Sequence, residues 1–389
     1  MTKNKIPKIL FITRVPLGNQ RNPTMIYMDK LIKNYKNQII WFSINNLNYS
    51  KPNDYKIPFK SYPPFDWFIR FPLIKNFFRF FIGTKFLTFS AYRFGKEHKA
   101  KVVLADLNSE VLIVGRMTAK KLRVPLITSI QDDPISRLLK KKYPESINQF
   151  LKNQFKKTMT YSTSCAVVSD YMGEYYEKKF NVNTTTLYLG AKNNKTQKQG
   201  KILFEEKTII IGSLGSVHSF KNLDLVIESI NCLNKKNYRG KKFSLKHIGE
   251  LPEKYLNLDN IHVTGWINRE NLMDELKEID IGLLSVSFQN SEKTIVMTSF
   301  PTKIYNFLEA QVPFLAVGPE YSAIAKFIKN FNCGQICDKM NKEELISKIL
   351  YMIDSKTNLD KTNRGLINAA AHFSRDNYFK KFEQIFKNL

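Results

Sequence analysis

Cysteine is scarce in this chain of 389 residues, which holds only Cys165, Cys232, Cys333 and Cys337. Four thiols scattered through a long chain fit a reducing cytosol better than a disulfide framework. Cys333 and Cys337 lack a second Cys or His pair at a zinc-binding spacing, so we expect no metal site.

Long apolar runs are also missing. No window approaches the roughly 18 uninterrupted apolar residues that a spanning helix needs. The apolar run Ile9 to Ile12 after Lys8 is too short for a signal peptide and fits a buried first strand. We therefore expect a soluble or peripheral protein that is not exported. A length of 389 residues exceeds what one core usually serves, which predicts two domains.

Acidic residues are few. The chain has 34 Asp and Glu but 61 Lys and Arg, which gives a formal net charge of +27 and a pI near 9.7. Such an excess predicts an anionic partner, which could be nucleic acid, an anionic membrane or a phosphorylated substrate. A compositional bias towards Lys, Asn and Ile accounts for part of it.

Aromatic and basic residues alternate between Tyr55 and Phe94, where fifteen aromatic residues accompany one acid, Asp66. This composition suits a segment that lies in a membrane interface, but it would also suit a domain core or single-stranded nucleic acid. No separate nucleic-acid motif is present, so we expect no nucleic-acid partner. The residues that we predict to contact a membrane are Trp67, Phe68, Phe77, Phe78, Arg79, Phe80 and Phe81.

Strands and helices alternate through the first half, which indicates an α/β sheet. The predicted strands are Lys8 to Thr13, Gln38 to Ile44, Val102 to Ala105, Leu126 to Ile130 and Ala166 to Ser169. Predicted helices cover Thr24 to Tyr35, Ser109 to Leu122 and the segment ending at Phe180.

The stretch from Ser299 to Glu320 organises the second half. Ile304, Phe307 and Leu308 recur at helical spacing after Pro301, and Phe314 to Val317 follows as an apolar strand. Gly318 then forms a turn before another helix, from Tyr321 to Lys329. In a parallel sheet, a turn at the carboxyl end of a strand is where phosphates bind.

Three segments of this stretch together resemble the donor-site signature of GT-B glycosyltransferases of the large retaining family 4. They read Pro-Thr-Lys-Ile-Tyr, Asn-Phe-Leu-Glu-Ala and Val-Pro-Phe-Leu-Ala. The segments Val168 to Met172 and Lys221 to Asp224 resemble further motifs of that family. The resemblance implies two Rossmann-like doubly wound domains facing a central cleft, with a C-terminal helix crossing back to the first domain. The implied domains are residues 1–190, 191–371 and the returning helix 372–389, with a linker from Lys192 to Lys201.

The same resemblance assigns a nucleotide-sugar donor site to the second domain. Lys221, at a predicted helix start after a glycine turn, is the residue we expect on the donor diphosphate. Trp266 is a candidate for the nucleobase pocket, although a buried structural tryptophan fits equally well. The predicted donor-binding residues are Gly215, His218, Lys221, Glu250, Trp266, Lys303, Asn306 and Gly318.

This sequence departs from the family pattern at Gly215, where many members have an arginine, and at Thr298 and Asn306, where members have paired acids. Lys303 and His218 are candidates to replace the arginine. Asn306 can bond a ribose hydroxyl without the strength of a carboxylate. Either the donor is bound differently or activity is weak or lost.

On the acceptor side, Asp132 and Asp133 follow the strand Leu126 to Ile130 and are the predicted catalytic carboxylates; a structural turn explains them equally well. Arg14 and Gly18 lie in the first strand-to-helix loop, the predicted acceptor-side loop. The resemblance implies a metal-independent, retaining hexosyltransferase without cofactor. It would use a UDP-sugar and a lipid-linked or cell-surface glycan, on the inner face of a bacterial plasma membrane, in polysaccharide biosynthesis. A nucleotide-sugar epimerase and an inactive basic binding protein remain as alternatives.

Overall fold

A computed structural model describes residues 6–17, 23–45, 55–64, 71–136, 143–188, 190, 205–268, 270–387 and 389. Its contacts divide the chain into unit 1, Met1–Leu187 with Phe379–Leu389, and unit 2, Tyr188–Tyr378. The predicted linker, Gly18, Trp67 and Phe68 lie outside the described residues.

Unit 1 is built on a parallel sheet of seven strands in the order β3-β2-β1-β4-β5-β6-β7. The strands are β1 (Ile9–Thr13), β2 (Ile39–Ile44), β3 (Phe59–Tyr62), β4 (Val102–Asp106), β5 (Leu126–Ile130), β6 (Ser164–Val167) and β7 (Thr184–Thr186). Every residue of β1, β2, β4 and β5 is buried, as expected when helices cover both faces of a parallel sheet.

The helices of unit 1 are α1 (Pro23–Tyr35), α2 (Pro72–Phe77), α3 (Thr84–Glu97), α4 (Val111–Leu122), α5 (Glu145–Tyr161) and α6 (Asp170–Phe180). A π-helical turn, Phe78–Gly83, joins α2 to α3 without a break. One extended helical run therefore lies where the aromatic and basic residues alternate in the sequence.

Unit 2 repeats this architecture with a parallel sheet of six strands in the order β10-β9-β8-β11-β12-β13. The strands are β8 (Thr208–Leu214), β9 (Lys242–Ile248), β10 (Ile261–Val263), β11 (Ile281–Ser285), β12 (Phe314–Val317) and β13 (Gly334–Cys337). The helices are α7 (Phe220–Lys235), α8 (Leu272–Lys277), α9 (Lys293–Thr298), α10 (Lys303–Ala310), α11 (Ala323–Phe331), α12 (Lys342–Ile353) and α13 (Lys356–His372).

The last helix, α14 (Arg375–Gln384), begins in unit 2, and its end belongs to unit 1. The sequence predicts a terminal helix from His372, but α13 ends at that residue and the chain starts a new helix. Ser374 explains the break, because its hydroxyl accepts the Asn377 amide hydrogen as an N-cap does.

Each sheet has one point at which the strand order reverses, between β1 and β4 in unit 1 and between β8 and β11 in unit 2. Open α/β sheets bind ligands beyond the carboxyl ends of the strands at such a point. In the part of the chain that is described, no helix combines the length and apolar character needed to cross a membrane.

Candidate functional site

Two glycines follow strands at the carboxyl edge of the unit 2 sheet. Gly215 follows β8 with φ +68° and Gly249 follows β9 with φ +139°, conformations that residues other than glycine adopt only with strain. The Gly215 amide donates to the Ile248 carbonyl at 2.8 Å, which fixes one loop against the other. A Cβ added at Gly215 would meet no atom within 4 Å, so the backbone lies open to a ligand.

This geometry explains why no arginine stands at Gly215: a side chain there would be strained by the left-handed backbone. Lys303, the first residue of α10 and a candidate to replace that arginine, approaches the same loop. Its Nζ donates to the Ser216 carbonyl at 3.3 Å, directly after Gly215. Burial lowers the pKa of Lys303 to about 8.

His247, near the end of β9, lies fully buried beneath these loops. Its Nδ1 is 2.6 Å from the Ser213 hydroxyl, whereas its Nε2 has no hydrogen-bond partner within the described residues. Nε2 lies 3.1 Å from the place where a Cβ on Gly249 would be. Burial lowers the pKa of His247 to about 4, and the charge of Lys303 adds to this effect. The ring is therefore neutral at physiological pH.

Helix α7 begins at the same edge and is anchored by Asn222. The buried side chain of Asn222 donates to the carbonyls of Val286 and Val317 at 2.8 and 2.9 Å, which ties the helix start to the ends of β11 and β12. Lys221 is exposed beside this anchor, and His218 is exposed in the preceding loop. The free amide groups of a helix start and a nearby cation both favour an anion.

Trp266 is 80% exposed after β10, so the structural interpretation of a buried tryptophan is wrong. A bridge between Gly249 and Gly265 holds this segment against the end of β9, where Glu250 is exposed. The exposed indole lies at the carboxyl edge of the sheet, the edge at which parallel sheets bind phosphates, and its flat ring offers a surface on which a nucleobase can stack.

The other predicted donor residues differ in their surroundings. Asn306 is half-buried one helical turn after Lys303, on the same side of α10. Gly318 is buried, and a Cβ there would lie 2.3 Å from Cγ2 of Val286, so this glycine permits close packing of strand ends. Thr298 is buried and donates to the Thr294 carbonyl.

In unit 1, the two predicted catalytic carboxylates have different environments. Asp133 is only 4% exposed; its carboxylate accepts the Ser136 amide hydrogen at 2.8 Å and the Tyr176 hydroxyl at 2.5 Å. Burial and this carboxylate raise the pKa of Tyr176. Asp133 thus stabilises the turn after β5, whereas Asp132 is half-buried beside it. The catalytic role of these two carboxylates stays a prediction.

A buried ion cluster lies at the strand-order reversal of unit 1. Glu110, just before α4, is fully buried between Arg14, which follows β1, and Arg79 of the π turn. Burial alone would raise the pKa of Glu110, but the charges of Arg14 and Arg79 outweigh it and hold that pKa below its usual value. Arg79 also donates to the Ser109 hydroxyl at 3.1 Å.

These contacts correct two of the predicted membrane residues. The Arg79 side chain is only 12% exposed because it pairs with Glu110, and Phe80 is only 1% exposed because it packs in the unit 1 core. Phe77 and Phe81, by contrast, are 52% and 36% exposed, and Phe78 is half-buried.

Residues 194–373 match the family described as glycosyl transferases group 1. Unit 2 is therefore similar to a glycosyl transferases group 1 domain. The match covers nearly the whole of this unit, including the glycine loops, Lys303 and Trp266. No curated protein matches the chain.

Solved structures with the same fold include a glycosyltransferase from Rickettsia africae, with 13% identity, a TM-score of 0.67 and 98% of each chain covered. A trehalose-6-phosphate structure from E. coli, bound with UDP-2-fluoro glucose, has 11% identity, a TM-score of 0.63 and coverage of 98% and 99%. The S. aureus MnaA complex with UDP has 11% identity, a TM-score of 0.54 and coverage of 98% and 95%. The expected GT-B fold is confirmed.

Several residues of unit 2 that the structure brings to this edge carried no signal of their own in the sequence. His247 and Ser213 are ordinary residues of apolar strands, and only the folded sheet joins them. Asn222 stands inside the Lys-Asn-Leu-Asp motif, but its anchoring role depends on carbonyls that lie 64 and 95 residues away.

Proposed function

We propose that the protein is a hexosyltransferase that transfers a sugar from a nucleotide-sugar donor, a UDP-sugar, to a glycan or lipid-linked acceptor. The observation that carries this proposal is the approach of Lys303 to the open backbone at Gly215 and Ser216, within a glycosyl transferases group 1 domain. The UDP ligands of two structures with this fold support the choice of nucleotide.

In this proposal the diphosphate is held by Lys303 and the start of α7, with Lys221 adding charge. Cations and amide hydrogens placed where negative charge develops stabilise a leaving diphosphate, so the reaction needs no metal or other cofactor. Trp266 stacks on the base and Asn306 bonds a sugar hydroxyl. The transfer retains the anomeric configuration, with the leaving phosphate accepting the proton of the acceptor hydroxyl.

Unit 1 provides the acceptor side, with Asp132 and Arg14 at the carboxyl edge of its sheet. We place the protein on the cytoplasmic face of a bacterial plasma membrane, where polysaccharide precursors are assembled on lipids. Exposed aromatic residues on the run from α2 to α3 support this location.

Calorimetric titration with UDP, GDP and CMP tests the donor site. We expect selective binding of UDP and at least a tenfold weaker affinity in Lys303→Ala and in Lys221→Ala, because each loses a charge-assisted contact. Lys361→Ala, which changes an exposed lysine of α13, is the matched control. Equal affinity in Lys303→Ala and the control would remove Lys303 from the site.

The fate of the donor separates the remaining alternatives. Sugar transfer that depends on an added acceptor supports the proposal, whereas conversion of a UDP-sugar to its epimer without acceptor would show an epimerase. Binding of UDP without turnover of any donor would show an inactive binding protein. The buried Thr298 and the neutral amide of Asn306 are the residues that favour this last outcome.

A further inference from the structure

The helical run from Pro72 to Glu97 in unit 1 exposes an unusual amount of apolar surface. Large apolar side chains stand out from it, with exposures from 36% at Phe81 to 72% at Phe71. The members of this apolar stripe are Phe71, Ile74, Phe77, Phe81, Ile82, Phe86 and Phe89. Contiguous exposed apolar surface of this kind marks an interaction site.

The π turn keeps this stripe on one side of the helix. Ile74, Phe77 and Phe81 follow the spacing i, i+3, i+7, which an unbroken α-helix would continue at positions 85 and 88. The exposed aromatic residues come one position later, at Phe86 and Phe89, whereas Thr88 is buried. A π turn accommodates one additional residue, so it returns the second half of the stripe to the line of the first.

The opposite side of the run is fixed in the protein. Phe80, Leu87 and Phe94 belong to the unit 1 core, and Arg79 of the π turn binds the buried Glu110. Within the stripe, the rings of Phe77 and Phe81 stack at 5.3 Å. The rings of Phe81 and Phe86 also contact Phe150 and Tyr62 of unit 1, at 4.6 and 5.7 Å, so the stripe has a defined position on the surface of this unit.

Charge identifies the partner. No Asp or Glu occurs from Phe71 to Lys96, while Lys85, Arg93 and Lys96 are exposed along the run. Interfaces with other proteins are depleted of lysine, whereas aromatic rings bordered by cations are typical of helices that lie in an anionic lipid surface.

We propose that the apolar stripe inserts into the headgroup region of an anionic bilayer and that the flanking cations bind its phosphates. The purpose of this docking rests on the proposed function. On the buried side of the same helical run, Arg79 pairs with Glu110, which also pairs with Arg14 after β1. Docking of the stripe therefore brings the acceptor-side loop to a lipid-linked substrate.

Sedimentation with vesicles tests the proposal on the full chain. We expect the wild type to bind vesicles rich in phosphatidylglycerol, and to bind pure phosphatidylcholine vesicles at least tenfold more weakly. Lys85→Gln should lower affinity for the anionic vesicles about fivefold, because one surface cation is lost. The triple variant Phe77→Ser, Phe86→Ser, Phe89→Ser should lower it at least tenfold.

Two controls keep the test decisive. Ile367→Ser and Leu258→Ser remove exposed apolar side chains elsewhere and should bind vesicles as the wild type does. Retained UDP affinity of the triple variant would show that the donor site is independent of the stripe, and a cooperative urea transition of its unit 1 tryptophans in the Trp266→Phe background would show that unit 1 is folded. Equal vesicle binding by the triple variant and the wild type would overturn the proposal. A wild type that forms dimers dissolved by the triple substitution, and that binds no vesicle, would assign the stripe to a second copy.

Discussion

At the scale of single residues, Lys303 is the cation that we propose for the place of the arginine missing at Gly215. The left-handed backbone at Gly215 leaves no unstrained place for an arginine, and Lys303 reaches the same loop from the start of α10. Its partial burial lowers its pKa to about 8, close to the pH of the cytosol. The charge at this position therefore depends on pH, as that of an arginine would not.

We predict that UDP affinity decreases as the pH rises from 7 to 9. Protonated Lys303 binds the diphosphate, and above its pKa the cation is lost, so affinity should fall by up to about tenfold for each pH unit. Lys303→Arg should bind UDP with little change over this range. Titration calorimetry at several pH values measures both proteins, and a parallel decline in both would show that another group is responsible.

We predict that the free energy of unfolding depends on pH because of His247. Its pKa is about 4 in the folded protein and close to 6.5 when unfolded, so the unfolded state binds more protons between these values. The stabilisation is present above pH 6.5 and is lost as the pH falls towards 4, by about 3 kcal/mol at most. Urea unfolding at pH 4.5 to 7.5 should give a smaller decline for His247→Gln. Identical declines in both proteins would contradict the neutral buried ring.

At the scale of single helices and strands, the sequence was sufficient to predict an element wherever its apolar residues recur at a helical or strand spacing. Strand β5 and strand β12 lie within their predicted bounds, and α10 buries Ile304, Phe307 and Leu308 as their spacing indicates. Apolar strands bounded by turn residues and helices with one apolar face are encoded within a few residues, so an α/β sheet could be predicted from them, whereas the two doubly wound domains were implied by the family resemblance.

The aromatic run could not be divided correctly from the sequence. Phe80 and Phe81 are neighbours of the same type, yet one lies in the core and the other at the surface. The π turn determines which side chains face outward, because it accommodates one residue more than an α-helical turn does. The spacing of the apolar residues in the sequence does not predict where this additional residue falls. Arg79 likewise meets Glu110 only because α4 packs beside the run.

The Glu110 cluster joins three elements, and we predict that its loss is costly. Glu110→Gln leaves Arg14 and Arg79 without a counter-charge in a buried place, which should lower the free energy of unfolding by about 3 to 5 kcal/mol. Glu97→Gln, whose carboxylate is 69% exposed, is the control and should change stability little. Urea denaturation followed by circular dichroism compares the two variants. A loss no larger than that of the control would mean that the arginines find water or other partners.

At the scale of the whole molecule, unit 1 is completed by the far end of the chain. Phe382 is only 1% exposed and lies 5.8 Å from the ring of Tyr35, whose hydroxyl donates to Glu383 at 2.7 Å. The C-terminal residues therefore contribute to the core of unit 1, although almost the whole of unit 2 separates them in sequence from the rest of that unit. The stability of unit 1 therefore depends on Phe379–Leu389.

We predict that Phe382→Ala destabilises unit 1 by about 3 to 5 kcal/mol, because the cavity adds to the lost burial. Trp266→Phe provides the background for this measurement, since the remaining tryptophans, Trp41 and Trp67, both belong to unit 1. Their fluorescence then reports the unfolding of that unit in urea. Lys380→Ala, an exposed change on the same helix, should leave the midpoint unchanged. If Phe382→Ala gave the same midpoint as Lys380→Ala, unit 1 would fold independently of the terminal segment.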